Sequence, residues 1–285
     1  MSVEPFLLEA RRSFHAALFA NGTLSTDSGV PSIADRGSDV SVKIATGLLD
    51  RLGPQVSNSR LAGQMAGSNF ENVVGEFLEE TFPRLSSIRP GKFMITKGRS
   101  RLAIASSDQY RHLSSLAEAV KKDPDLAVAI GMDYLIKPDV MILRRPEPDS
   151  VINSAAFEVD DRVATLASIR SANNSLPILH ASVSCKWTLR SDRAQNARSE
   201  ALNLVRNRKG RLPHIVVVTA EPTPNRLASL ALGTGDIDCV YHIALPELRD
   251  AIDGAGYQDS LELLDTMISG NRLRDVADLP LDLAT

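Results

Sequence analysis

The sequence of 285 residues contains only two cysteines and one tryptophan, and it has no long apolar run. The thiols of Cys185 and Cys239 are too few for a disulfide framework or a zinc site. Both lie in apolar strand-like runs, which predicts a protein of the reducing cytoplasm. No apolar run approaches the ~20 residues that cross a bilayer. Residues 1–19 carry four charges within an apolar pattern, which favours an amphipathic helix over a signal peptide. We therefore expect a soluble protein with no membrane partner.

The chain also lacks an excess of charge of one sign, since its formal net charge is −3 at pH 7. A function on nucleic acid must therefore depend on a local basic patch and not on the whole molecule. A hydrophobic content of 43% and a charged content of 24% are typical of a globular protein. No internal repeat, low-complexity tract or linker divides the sequence. We predict one domain over 1–285 with two long functional loops, 21–39 and 55–68.

Strand-like and helix-like patterns alternate along the chain, which predicts an α/β fold with a central mixed sheet flanked by helices. The predicted strands are 92–97, 136–143, 152–160, a run around 182–187, 213–219 and 238–243. The predicted helices are 40–53, one that begins near 68–69, 107–122, 124–130, 163–171, one that ends near 208, a short one after 225, 245–253 and 258–268.

A locally basic segment lies in the third quarter of the chain. Residues 182–187 alternate between polar and apolar side chains, as in a half-buried strand, and a polar corner at 190–193 leads into a helix. From Lys186 to Arg211 there are eight basic residues and only two acids, so the segment carries +6 in a chain of net charge −3. This concentration of charge predicts contact with a polyanion such as DNA.

Three residues around this segment suggest metal-assisted phosphodiester hydrolysis. Asp139 begins a predicted strand, Lys186 lies on another, and Glu200 is on the small-residue face of the following helix. Carboxylate oxygens are ligands that Mg²⁺ prefers, and the ion neutralises phosphate while it generates hydroxide. The lysine ammonium can stabilise the pentacovalent charge or help to deprotonate the attacking water.

Other interpretations stay open on the residues alone. An aspartate at a strand start is commonly solvated, and Glu71, at the margin of a helix's apolar stripe, is open to the same explanation. Ser184 and Lys186 have the spacing of a Ser–Lys acyl hydrolase pair, although no oxyanion-hole glycine motif lies nearby. A non-cleaving, sequence-specific DNA-binding protein would keep the basic corner without competent chemistry.

The chain resembles type II restriction endonucleases of the PD-(D/E)xK group, and within it the NgoMIV-like subgroup that reads CCGG. The resemblance runs nearly end to end and is strongest over LHASVSCKWTLRSDRAQNARSEALNLVRNRKGRLPHIVVVTAEPTPNR and ALGTGDIDCVYH. In that subgroup the acid two residues before the lysine is replaced by serine, here Ser184, and Glu200 supplies the missing carboxylate. The resemblance implies that Glu71 is an accessory acid. It also implies that Mg²⁺ is bound by Asp139, Glu200 and the carbonyl oxygen of Cys185.

The polar corner supplies the side chains that read base edges in the major groove. Arginine forms two hydrogen bonds with guanine, and a carboxylate accepts one from cytosine. Arg190, Asp192 and Arg193 provide two guanine readers and one cytosine reader beside Lys186. The resemblance implies that these three residues read the inner CCGG bases.

The resemblance also implies the remaining contacts and the assembly. Asp35 and Arg226 match residues that read the outer base pair, and Gln64 matches one that reaches the minor groove. The implied site is GCCGGC, cut after the first G to leave four-base 5′ extensions. A palindromic site requires a two-fold dimer, and the resemblance further suggests a homotetramer that binds two copies of double-stranded DNA.

Overall fold

A six-stranded mixed sheet lies at the centre of this computed structural model, which describes residues 4–53, 61–97, 103–131, 136–233 and 235–285. Its strands, in spatial order, are β3 (Phe93–Lys97), β4 (Val140–Arg144), β5 (Ile178–Lys186), β6 (His214–Thr219), β7 (Cys239–His242) and β8 (Leu273–Asp275). β3, β4 and β5 pair antiparallel, and β5 to β8 pair parallel. A separate hairpin pairs β1 (Thr26–Asp27) with β2 (Val30–Pro31). The predicted α/β fold with a central mixed sheet is confirmed.

Helices surround this sheet. They are α1 (Phe6–Ala20), α2 (Asp39–Leu52), α3 (Gly63–Thr81), α4 (His112–Lys122), α5 (Pro124–Ile130), α6 (Asp149–Ile152), α7 (Ser191–Asn207), α8 (Pro224–Ala231), α9 (Leu245–Ala255), α10 (Gln258–Ser269) and α11 (Leu279–Asp282). Short 3₁₀ helices cover Phe82–Ser87, Ala103–Ser106 and Asp108–Tyr110. None of the helices in the described ranges is long and apolar enough to cross a bilayer.

The central strand β5 lies between β4 and β6, and most of its side chains are buried. Its alternating pattern predicts one exposed face, yet Ser182 is 4% exposed, and the partly exposed residues at the carboxyl end are Ser184 and Lys186. Helix α3 packs against this end, where the ring of Phe70 contacts that of Trp187 with centroids 5.0 Å apart. The polar side chains of β5 thus open towards solvent only at its carboxyl end.

Pairing between β4 and β5 brings together residues that are far apart in the chain. Val140 is opposite Val183 in this antiparallel pair. One step further, Asp139 comes to the level of Ser184, beside the carboxyl end of β5. The β-branched run of β6 forms the other, parallel neighbour of β5, with Lys186 opposite Thr219.

Two predicted elements are wrong. Neither a strand at 152–160 nor a helix at 163–171 forms; α6 ends at Ile152 and an irregular segment follows. The buried guanidinium of Arg170 organises this segment, because it pairs with Asp149 at 2.6 Å and donates a 2.9 Å hydrogen bond to the carbonyl oxygen of Asp160. These long-range contacts override the local pattern.

The predicted loop 55–68 is also partly wrong. Residues 55–60 lie outside the described residues, and 63–68 are the first turns of α3, which begins at Gly63 and not near Ser68. Ala66 is 7% exposed, so the apolar stripe of the helix extends one turn further back than the larger side chains indicate. The loop 21–39 contains the small β1–β2 hairpin before α2 begins at Asp39.

Candidate active site

Four polar side chains meet at the carboxyl end of β5. The ammonium nitrogen of Lys186 lies 3.2 Å from Oδ2 of Asp139 and 3.6 Å from Oε2 of Glu200. The hydroxyl of Ser184 donates a 3.2 Å hydrogen bond to the same oxygen of Glu200, and the backbone N–H of Cys185 donates to Oδ2 of Asp139 at 2.7 Å. We call Asp139, Ser184, Lys186 and Glu200 the carboxylate–lysine cluster.

The electrostatics of the cluster keep the lysine protonated. Burial works against the charge on Lys186, but the nearby carboxylates of Asp139 and Glu200 raise its pKa above the usual value. Burial also raises the pKa of Glu200, and the lysine opposes that shift. The Lys186 side chain is therefore an ammonium that stabilises negative charge, and it is poorly suited to accept a proton.

The oxygen donors of the cluster fit a hard divalent cation. Mg²⁺ usually binds one or two carboxylates and keeps several waters. Both contacts of Asp139 with other described residues use Oδ2, which leaves Oδ1 available to an ion, and 37% of the Glu200 side chain is exposed. In the described ranges no group of three or more His, Cys, Asp or Glu side chains converges as a metal site. The donor set therefore suits an ion completed by water and phosphate.

The remaining predicted residues near the cluster have different positions. Glu71, on α3, lies near enough for the charge of Asp139 to add to the effect of burial, and together they raise its pKa. No hydrogen bond or ion pair joins Glu71 to another described residue. The thiol of Cys185 is buried, and burial raises its pKa well above the usual value. Cys185 could therefore serve a metal only through its carbonyl oxygen, as the resemblance implies.

The predicted polar corner lies directly beyond the cluster. Arg190 precedes the first residue of α7, and Asp192 and Arg193 lie in its first turn, slightly earlier in the helix than the sequence indicates. Arg190 and Asp192 are exposed, and Arg193 donates a 3.1 Å hydrogen bond to the hydroxyl of Thr188. We call Arg190, Asp192 and Arg193 the basic corner. Its side chains project from a helix start beside the carboxylate–lysine cluster.

Comparison with known proteins agrees with this arrangement. The family model described as NgoMIV restriction enzyme matches residues 14–285. The type II restriction enzyme NgoMIV of Neisseria gonorrhoeae is 51% identical over 285 residues, which cover 99% of this chain and 100% of that protein. The chain belongs to the NgoMIV restriction enzyme family. It is a type II restriction endonuclease, a site-specific deoxyribonuclease that binds DNA, and enzymes of this kind are generally metal-dependent. The alternatives of a non-cleaving DNA-binding protein and of an acyl hydrolase are set aside.

A second set of predicted residues extends the basic corner of the restriction endonuclease. Arg226, in the first turn of α8, forms an ion pair with Asp35, although 191 residues separate them in the chain. Asp35 and Arg226 line one groove with Arg190. The hydrogen bond from Arg226 lowers the pKa of Asp35, and the charge of Arg190 lowers it further. Gln64 is exposed in the first turn of α3, and its neighbours Gly63 and Ala66 line an adjacent groove with the basic corner's two arginines.

Sequence reasoning missed one residue that joins these parts. Glu221 is fully buried, and its carboxylate accepts hydrogen bonds from the backbone N–H groups of Leu189 at 2.8 Å and Thr223 at 3.1 Å. It also lies 3.8 Å from the guanidinium of Arg226. Burial raises its pKa. The available signal was its position two residues after the end of the buried β6 strand, where a charged residue requires partners.

Proposed function

We propose that this endonuclease hydrolyses both strands of GCCGGC after the first G, leaving four-base 5′ extensions, with Mg²⁺ as its cofactor. The observation that carries the proposal is the convergence of the carboxylate–lysine cluster next to the basic corner. A phosphate held at the cluster brings the neighbouring base edges within reach of those arginines. The family membership and the resemblance to CCGG-reading enzymes support the sequence of the site.

We assign a separate role to each side chain of the cluster. Asp139 and Glu200 would hold Mg²⁺ through carboxylate oxygens, with the carbonyl oxygen of Cys185 as a further ligand. When bound, the ion neutralises the scissile phosphate and lowers the pKa of water. The ammonium of Lys186 stabilises the charge that develops on the phosphate in the transition state. Ser184 orients Glu200 through its hydrogen bond, and Glu71 is an accessory acid at the edge of the site.

Sequence recognition is divided between two groups of residues. We assign the inner CCGG bases to Arg190, Asp192 and Arg193. Asp35 and Arg226 would read the outer base pair, and Gln64, exposed on α3, would reach into the minor groove. Asp35 and Arg226 bind each other in the free protein, so the DNA must offer equivalent partners before the pair opens. Exchange of partners makes a wrong base costly, because both charges would lose their contacts.

The palindromic site requires at least a homodimer, and we propose a homotetramer that binds two DNA copies. The three leucines of the C-terminal tail offer little apolar surface for such a contact, because Leu279 and Leu283 are buried in the chain's own core and only Leu281 of the three is exposed. Light scattering with and without a duplex that contains the site measures the assembly: a mass of four chains supports the tetramer, and a mass of two chains contradicts it.

The cysteines are free thiols, and the substrate is DNA, so we place the enzyme in the cytoplasm.

Digestion of a mapped plasmid tests the function directly. Purified enzyme with Mg²⁺ should release fragments whose sequenced ends all come from GCCGGC with four-base 5′ extensions. The same incubation with a chelator should leave the plasmid intact. Ends that contain CCGG with other outer pairs would contradict the assignment of Asp35 and Arg226, while cleavage in the chelator would contradict the metal requirement.

A further inference from the structure

A cationic cavity of about 260 Å³ lies at the end of the sheet opposite the carboxylate–lysine cluster. Arg144 ends β4 there, and His180 and His214 lie near the amino ends of β5 and β6. The cavity's four cationic side chains, from three separate segments, are Arg89, Arg144, Lys209 and Arg211. Its single acidic side chain is Asp108, which lies 3.8 Å from Arg111.

Asp108 is the one acidic side chain that faces these four cations in the cavity, and none of the four forms an ion pair with another described residue. The Nε atoms of Arg89 and Arg144 are buried and have no hydrogen-bond partner among the described residues. Burial lowers the pKa of Arg89, and the charges of Arg144 and Arg211 lower it further. Clustered like charges repel one another, and an anion bound between them would relieve that repulsion.

We propose that this cavity is a second, non-catalytic site that binds a small phosphate-bearing ligand. The guanidinium groups of Arg89 and Arg144 line the cavity, and their planar shape matches phosphate oxygens. Lys209 and Arg211 contribute charge at its rim, where both side chains are exposed. The cavity has room for a compact oxyanion such as a di- or triphosphate.

This site is distinct from the one that cleaves DNA. Nine residues of β5 separate the two ends of the sheet, which corresponds to roughly 25 Å at about 3.3 Å per residue. A phosphate at the carboxylate–lysine cluster therefore does not fill the cavity. The proposal does not depend on which DNA sequence the enzyme cuts.

Calorimetric titration with inorganic pyrophosphate in metal-free buffer tests the proposal, with the full-length enzyme already bound to a site-containing duplex so that the cleft is filled. We expect binding that weakens at least about tenfold in the double variant Arg89→Gln/Arg144→Gln, roughly the effect of one lost charge-assisted hydrogen bond. The control variant Arg12→Gln/Arg249→Gln removes the same charge from exposed ion pairs and should bind pyrophosphate as the wild type does.

Thermal unfolding separates loss of binding from loss of folding. Pyrophosphate should raise the melting temperature of the wild type and not of the cavity variant. Without ligand the cavity variant should be at least as stable as the wild type, because like charges are removed. Equal pyrophosphate binding by the wild type and the cavity variant would overturn the proposal. Two further outcomes would also overturn it. If the wild type binds no pyrophosphate but the cavity variant loses affinity for DNA that lacks the recognition site, the cavity is a DNA interface. If the wild type binds no pyrophosphate and the cavity variant has a different assembly mass, the cavity is a protein interface.

Discussion

The carboxylate–lysine cluster and the basic corner are neighbours, but their charges are held in different ways. In the cluster, Lys186 and Asp139 are 14% and 15% exposed and neutralise each other at 3.2 Å. In the corner, Arg190 and Asp192 are exposed at the start of a helix, and their side chains form no hydrogen bond or ion pair with another described residue. The comparison teaches that strand pairing fixes the geometry of the cluster before any substrate is bound, whereas the recognition that we propose for the corner would order its side chains on the DNA.

Removing a carboxylate from the cluster should have the largest effect. Asp139→Ala should lower the rate of cleavage at least about 1000-fold, because the variant loses a metal ligand and the partner of Lys186. Specific binding should be retained, since the basic corner is untouched. Single-turnover cleavage and gel-shift titration of the same duplex measure the two properties.

The isosteric variant Asp139→Asn controls for structure, because its amide oxygen can still accept the hydrogen bond from the N–H of Cys185. It should also fail to cleave. Cleavage by either variant at the wild-type rate would disprove the assignment of Asp139 to the chemistry.

The pH dependence of the free energy of unfolding tests the stability of the sheet that positions the cluster. Burial lowers the pKa of His242, on β7, from 6.5 to about 4. Below pH 6.5 the unfolded chain binds a proton that the folded chain does not, so stability should fall as the pH drops from 6.5 towards 4. One such histidine contributes up to about 3 kcal/mol over this range.

The variant His242→Asn keeps a side-chain acceptor for the N–H of Ala244, which lies 3.1 Å from Nδ1 in the wild type. Denaturant unfolding between pH 7 and pH 4.5 should show a slope for this variant that is shallower by up to about 1.4 kcal/mol per pH unit. Identical slopes would mean that another group controls the acid sensitivity. His180, whose pKa burial also lowers to about 4, would be the next to test.

Glu221 contacts both the backbone before Arg190 and the side chain of Arg226. Its replacement should therefore affect both the stability of the fold and the discrimination between base pairs. Glu221→Gln removes the charge near Arg226 and sets an amide N–H₂ against backbone donors. Unfolding should become easier by about 1–3 kcal/mol. Discrimination against substituted outer base pairs should also fall roughly fivefold, because Arg226 and the backbone before Arg190 lose a fixed partner.

Asp275→Asn is the matched control for this experiment. Asp275 is 9% exposed, accepts a 2.9 Å hydrogen bond from the N–H of Leu245 and pairs with Arg11 at 2.8 Å. This variant should lose similar stability and keep its discrimination. If both variants discriminate equally, Glu221 supports the fold and has no specific part in recognition.

The elements that position the cluster were predictable from local patterns. The β-branched run of β6 and the alternation before Lys186 indicate strands, and the strand that begins after Asp139 follows from its apolar run. The convergence of Asp139, Lys186 and Glu200 was inferred from their chemistry. The pairing of β4 with β5 brings Asp139 to Lys186, and α7 adds Glu200, which contacts Ser184 and Lys186.

The features that were missed depend on contacts that no local pattern reports. Arg170 determines the path of the segment after α6 through bonds to carbonyl groups, and any surface arginine would have the same sequence signal. The burial of Glu221 depends on the loop before α7, and the pairing of Asp35 with Arg226 spans 191 residues. The resemblance to a family implied that Asp35 and Arg226 read the same base pair, but not that they bind each other.

Replacing one arginine of the basic corner is the most selective way to test the comparison. Arg190→Ala should cost about 1–3 kcal/mol of discrimination at one base pair of the site, because a guanine would lose its two hydrogen bonds. Relative cleavage rates on duplexes substituted at each position measure this loss. Arg206→Ala removes an equal charge from the exposed side of α7 and should weaken binding to all duplexes alike or leave it unchanged. A uniform loss in Arg190→Ala would make Arg190 a phosphate contact, and recognition would then depend on Asp192 and Arg193 alone within the corner.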